Sequence, residues 1–180
     1  MNWILHYNKN HDKLGRFAKS TNSKKESIEI LNDYDSINKT LKPVNDYVNK
    51  MSKEDYDNLM LGETEDYVTD AKYIMTRVMK KIGDKPVSVF DIYNDKHETN
   101  VAIATDPKHY GKGYGSEVSK IGMEYINKNR DKFRSTVVWG VAERNKASRH
   151  LAEKNGFKLI PNSDWEINGI NTLLYEKKVK

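Results

Sequence analysis

The sequence predicts a mixed α/β fold, and three observations carry that reading. "PVSVFDIY" (Pro86 to Tyr93) and "VAIAT" (Val101 to Thr105) have strand patterns and flank the polar turn "NDKHETN", which together make a hairpin. "STVVWGVA", from Ser135 to Ala142, is a further strand. Between these, Val118, Ile121, Tyr125 and Ile126 recur at helical spacing. Strand and helix patterns alternate without an internal repeat, and 180 residues suffice for one domain with its own core.

Taken in order, the first 45 residues differ from the rest. "HYNKNHDKLGRFAKSTNSKK" is rich in Asn, Lys and Ser and offers few apolar positions, so residues 1–45 are expected to form an arm, partly extended or partner-bound, ahead of a domain spanning 46–180. Within the arm, Ile28, Leu31 and Tyr34 allow a short helix from Ser23 to Tyr34, and Lys42-Pro43 is expected to break the chain. Ser52 is read as the N-cap of a second helix, with Glu54 and Asp55 in its first turn and its end near Gly62. Val68, Ala71, Met75, Val78 and Ile82 recur at three- and four-residue spacing and predict a third helix closed by Gly83. These helices are expected to cover one face of a sheet. After the hairpin, Asp106-Pro107 ends the strand. Asn145 to Asn155 reads as a helix with Gly156 at its C-terminal cap, and "DWEINGINTLLYEKK" reads as two strands around Asn168-Gly169.

Composition excludes several classes. There is no cysteine, so no disulfide framework, thiolate metal site or cysteine nucleophile exists, and a reducing cytoplasm is the expected compartment. Apolar runs are too short to span a membrane, and "MNWIL" is too short and too little charged for a signal peptide. Lys and Arg exceed Asp and Glu by 31 to 26, a mild excess that favours anionic ligands, while nucleic-acid binding has no motif behind it. His97, His109 and His150 lack metal-ligand spacing, so no metal is assigned.

The densest signal is "HYGKGYGSEVSKIGMEYI", His109 to Ile126, where three glycines lead directly into a helix. A helix start leaves backbone N–H groups without intrahelical partners and carries partial positive charge, and glycine lets an anion approach them. Gly111, Gly113 and Gly115 read GxGxG rather than the GxGxxG of a dinucleotide fingerprint, and Lys112-Gly113 is not the Lys-Ser/Thr of a Walker loop. A turn that uses glycine only for its positive φ is the competing reading.

The stretch Tyr110-Gly111-Lys112-Gly113-Tyr114-Gly115 resembles motif A of the GNAT superfamily of N-acetyltransferases, and "NKASRHLAEKNGF", Asn145 to Phe157, is similar to its motif B. The resemblance covers roughly residues 85 to 160. It implies a GNAT-like fold, a central, mostly antiparallel twisted sheet flanked by helices, with acetyl-CoA as co-substrate and an amine of a protein or small molecule as acceptor. By the same resemblance Tyr110 to Gly115 would hold the diphosphate. Ile103 to Thr105 would lie on the strand that splays from Val138 to Ala142 to admit the pantetheine, and Asn145 would stand beside that arm. Two positions depart from the pattern. The Arg or Gln that commonly opens motif A is Tyr110, and the tyrosine that many members use as general acid falls at Ala152. The branch acting on ribosomal proteins and protein N-termini often carries a serine that aligns with Ser148, which makes Ser148 the candidate acid or thiol contact; satisfying local backbone is its other reading. Glu143 is the favoured base, with Asp91 and Glu98 as alternatives, and Trp139 and Tyr125 are read as core.

"NHDKLGRFA", Asn10 to Ala18, is similar to a segment at the N-termini of bacteriophage head and structural proteins. That resemblance implies a second reading: a GNAT-fold component of a phage particle with reduced chemistry, attached to a structural protein through residues 1–20 and so virion-associated.

Overall fold

The computed structural model describes residues 4–5, 25–53, 71–163, 165–167 and 169–179. Among these, the strands are β1 (Ile4–Leu5), β2 (Glu26–Leu31), β3 (Thr76–Ile82), β4 (Lys85–Asn94), β5 (Thr99–Thr105), β6 (Thr136–Ala142), β7 (Lys158–Leu159), β8 (Trp165–Ile167) and β9 (Ile170–Lys178). They form one sheet in the order β1-β2-β3-β4-β5-β6-β9-β7, with β8 paired to β9. Every pairing is antiparallel except that of β5 with β6. Among the described residues the longer α-helices are α1 (Tyr34–Val48), α2 (Tyr114–Lys128) and α3 (Lys146–Lys154).

Both faces of the sheet are covered, which explains its composition. On one face Ile37, Val44 and Val48 of α1 pack with Leu31, Met79, Val89 and Ala104. On the other, Val118, Met123 and Ile126 of α2 pack with Val78, Phe90, Ile92 and Trp139. Phe90 meets Trp139 edge-on at 5.6 Å between ring centroids, and Trp139 meets Phe157 in the same way at 5.6 Å. Trp139 is therefore core, as expected, and Tyr125 packs against Phe133.

The hairpin at 86–105, the strand at 135–142, the helix starting at Asn145 and the C-terminal hairpin follow the sequence pattern. The N-terminal third corrects it in three places. Ser23 to Tyr34 holds strand β2, not a helix: Ile28 and Ile30 point to the α2 face and Leu31 to the α1 face. Lys42-Pro43 does not break the chain, because Pro43 sits inside α1, whose Ile37, Val44, Tyr47 and Val48 are buried and whose N-cap Asp33 accepts from the Ser36 amide at 2.8 Å. The helix expected to reach Ile82 is a strand from Thr76, with Val78 and Lys80 turned to α2 and Arg77, Met79 and Lys81 to α1. As expected of a sheet flanked by helices, α1 covers one face and α2 the other. Residues 26–45 thus contribute a strand and most of a helix to the sheet domain. The helix expected from Ser52 to Gly62 lies mostly, and the segment Asn10 to Ala18 wholly, outside the described residues.

Arg77 and Asp91 are fully buried between the sheet and α1. The guanidinium donates from Nε and Nη2 to the two carboxylate oxygens at 2.8 Å each, and from Nη1 to Thr40 Oγ1 at 2.8 Å. Burial pushes the Asp91 carboxyl above its ordinary range, and Arg77 opposes that shift. Among the described residues no helix is long and apolar enough to cross a membrane.

Candidate active site

The site begins with a gap in the sheet. β5 and β6 pair only at Thr99 with Val137 and Asn100 with Val138. Beyond these, β5 follows β4 as far as Thr105, while β6 follows β9 as far as Ala142. The two strands diverge into a wedge whose open end lies at their C-termini, and the β5 edge facing it carries backbone groups that β6 does not pair.

The glycine loop closes over that end. Asp106 accepts from the Lys108 amide at 3.0 Å and turns the chain after β5 through a short 3-10 turn at Pro107–His109. Gly111 and Gly113 have φ of +74° and +80°, a region L side chains rarely adopt, and an added Cβ at either would meet nothing within 4 Å. Gly113 is the N-cap of α2 and no side chain caps the helix, which leaves the first-turn N–H groups to an external acceptor. Gly115 sits where α2, β5 and α3 converge: its Cβ would lie 3.3 Å from Ile103 Cδ1 and 3.5 Å from both Thr105 Oγ1 and Leu151 Cδ1.

The remaining sequence-predicted residues are placed as follows. Thr105 Oγ1 hydrogen-bonds Ser88 Oγ at 2.8 Å, which fixes the end of β5. Lys112 Nζ lies 3.2 Å from His109 Nδ1 at the rim of the loop, and the Tyr110 ring is exposed. Tyr114 contributes its backbone to the helix start, but its ring turns back to the sheet, with the hydroxyl donating to Glu26 at 3.0 Å. Asn145 caps α3, its Oδ1 accepting from the Ser148 amide at 3.0 Å. Ser148 lies half-buried in the first turn of α3, a helix that starts four residues after the last residue of β6. Ala152, one turn on, is fully buried in the core.

Of the carboxylates, Glu143 follows β6 directly and is exposed, but its Oε2 accepts from Asn171 at 2.7 Å, which turns it toward β9. Asp91 is excluded as a base by its two bonds to Arg77. Glu98 lies at the β4–β5 turn, at the paired end of the wedge, roughly 20 Å of strand from Thr105. Partial burial, followed by the neighbouring Asp95, raises its carboxyl. Among the described residues no group of three or more His, Cys, Asp or Glu could hold a metal.

Two features escaped the sequence reading. Arg149 donates to Tyr175 Oη at 3.2 Å and to the Glu143 carbonyl at 3.2 Å, tying α3 to the middle of β9 and to the residue that follows β6. Lys80 joins β2, β3 and α2. Tyr175, Glu26 and Glu117 lie 26 or more residues from their partners, so these contacts leave no local signal.

The family model for the GNAT acetyltransferase domain matches residues 44–158, more than half of the chain. The chain belongs to the GNAT acetyltransferase family. Solved structures agree in fold. The S5-alanine ribosomal-protein acetyltransferase from Vibrio fischeri superposes with a TM-score of 0.63 at 12% identity, over 85% of this chain and 93% of the other. Smu.2055 from Streptococcus mutans gives 0.62 at 20% identity, over 85% and 99%. YncA, a putative acetyltransferase from Salmonella typhimurium whose structure contains acetyl-CoA, gives 0.60 at 12% identity, over 86% and 94%. No curated protein sequence matches the chain significantly.

Proposed function

We propose that this GNAT chain is an acetyl-CoA-dependent N-acetyltransferase acting on an amine of a protein or small molecule. The observation that carries the reading is the wedge between β5 and β6, opening directly under an uncapped glycine-rich helix start. Gly111 and Gly113 leave room where a diphosphate would lie, and the amides of Gly113 to Ser116 would bind it, so the residues present fit the group. The unpaired β5 edge from Val101 to Thr105 would hydrogen-bond the pantetheine as a neighbouring strand does, and aim an N–H at the carbonyl oxygen. When bound, acetyl-CoA supplies the activated acetyl group as a thioester. Glu143, exposed just past the end of β6, would take the proton from the acceptor amine through a water once it leaves Asn171 of β9, and Ser148 would pass a proton to the departing thiolate. Holding amine and thioester in contact supplies most of the acceleration. The screen for acceptors begins with peptide α-amines, in line with the serine at 148. The particle-component reading draws no support from the described residues or from the relatives named above.

Calorimetric titration with acetyl-CoA tests this. Wild type binds, and Gly113→Glu, which puts a carboxylate in the cradle, does not. Gly113→Ala separates charge from backbone: an L residue at this φ costs about 1–2 kcal/mol, so it binds more weakly but still binds. Failure of the wild type to bind would overturn the reading.

A further inference from the structure

The first turn of α2 contains a residue that works against an anion site. Glu117 lies one turn into the helix, its amide closing the first helical hydrogen bond onto the Gly113 carbonyl at 3.0 Å. A carboxylate there favours the helix dipole but competes with any other anion for it. Its position is set from the sheet. Lys80 of β3, 4% exposed, places Nζ 3.0 Å from Glu117 Oε2 and 3.1 Å from Glu26 Oε2 of β2. The Tyr114 ring covers the ammonium, its centroid 5.2 Å away, and Tyr114 Oη donates to the second oxygen of Glu26 at 3.0 Å. The same ring meets His109 on the other side of the glycine loop, 5.9 Å between centroids. A register shift between Lys80 and Lys81, opposite Ser88 and Pro86, lies at this point of β3, and such irregularities re-aim side chains.

We propose that Lys80 is a positioning residue for the anion cradle: it draws the Glu117 carboxylate back onto the sheet, away from the loop, and neutralises it there. The inference rests on the reading of the loop as a coenzyme A site. A lysine is otherwise expensive to bury on a sheet face, and here its burial is offset by two carboxylates and an aromatic face. Without Lys80, Glu117 stands unneutralised one turn below the diphosphate site. The helix start then keeps its N–H donors but loses much of its attraction for an anion.

The test is titration of the full chain with coenzyme A across three variants. Lys80→Met weakens binding roughly three- to tenfold, the scale of one charge at a helix terminus. Lys80→Met/Glu117→Gln returns affinity to within about twofold of wild type, because the offending charge is gone although the network stays broken. Glu117→Gln alone, in which the amide oxygen still accepts from Lys80, binds no more weakly than wild type, and this variant keeps the test open if Lys80→Met does not fold. A merely structural role for Lys80 would leave the double variant as weak as the single one. That result, unchanged affinity in Lys80→Met, or weaker binding by Glu117→Gln overturns the proposal. If wild type does not bind coenzyme A, the functional reading fails instead. The positioning role is then read from hydrogen exchange of the amides of 114–117, which quickens in Lys80→Met; unchanged exchange overturns it.

Discussion

Gly122→Ala should destabilise this protein although alanine is the better helix former. Gly122 lies in the middle of α2 and faces β4, where a Cβ would overlap the Cδ1–Cε1 edge of the Phe90 ring and lie 3.3 Å from Cγ. Helix propensity alone predicts a gain of about 0.8–1 kcal/mol. Overpacking a filled core costs about 1–3 kcal/mol, and the upper end applies here. Phe90 is fully buried and set edge-on against Trp139, which is itself set against Phe157, so the ring has no free direction to move. The net loss is about 2 kcal/mol, and for a chain of this size it lowers Tm by roughly 4–8 °C. Urea titration at unchanged slope measures it. Combining the change with Phe90→Leu, which frees space at the contact, should cost less than the sum of the two single losses. A Gly122→Ala protein as stable as wild type would refute the reasoning, because α2 would then not be seated on β4 closely enough to fix its N-terminus over the wedge.

Two further outcomes follow from the buried and capped carboxylates. Arg77→Met leaves Asp91 buried without its guanidinium and should cost about 3–5 kcal/mol by urea titration, while Arg77→Met/Asp91→Leu should recover most of that loss. Asp95 accepts from the amides of His97 and Glu98 and from Asn100. Slight burial alone would raise its carboxyl, but these donors together hold it below its ordinary range. Its contribution is therefore present above the unfolded value of about 4 and lost as pH falls through the lower folded value. Asp95→Asn should be less stable than wild type at neutral pH, with the gap narrowing below about pH 4 in a series of urea midpoints; a gap that stays constant with pH would sink this account.

The half of the fold after residue 85 was legible because its strands and helices keep their periods and its breaks carry Asp-Pro, glycine or Asn-Gly. The half before it was not, for reasons visible at single residues. In β3 both faces are covered, so polarity does not alternate: Arg77 and Lys80 are buried by pairing with Asp91, Glu26 and Glu117, partners that lie 14 or more residues away. What remained, Val78 and Ile82 after Met75, matched a helical spacing by accident. In β2 the sequence Ser27-Ile28-Glu29-Ile30 did alternate, and Leu31 misled only because it serves the opposite core. In α1 the apolar stripe outweighed the lost hydrogen bond of Pro43. The glycine turn and its helix were legible because positive-φ glycines leading into a helix start are local in sequence. The wedge was implied by resemblance alone, since divergence of two strands depends on which neighbours each one follows.

The two departures from the family pattern have different weights once packing is considered. Tyr110 is exposed at the rim of the loop, so replacing an Arg or Gln there removes a side-chain contact and leaves the backbone donors of 113–116 untouched. Ala152 is another matter. It is fully buried in the core that includes Trp139, Phe157 and Tyr175, at the point where the Phe157 amide donates to the Ala152 carbonyl at 3.1 Å. A tyrosine there would need α3 to stand further from the sheet, and Arg149, bonded to both Tyr175 and the residue that follows β6, holds the helix where it is. The position is thus not a catalytic tyrosine trimmed to a stub in an open cleft; the helix is packed for a small residue. Four positions earlier on the same helical face stands Ser148, half-buried in the first turn of α3, and the proposed contact with the sulfur is assigned to it for that reason.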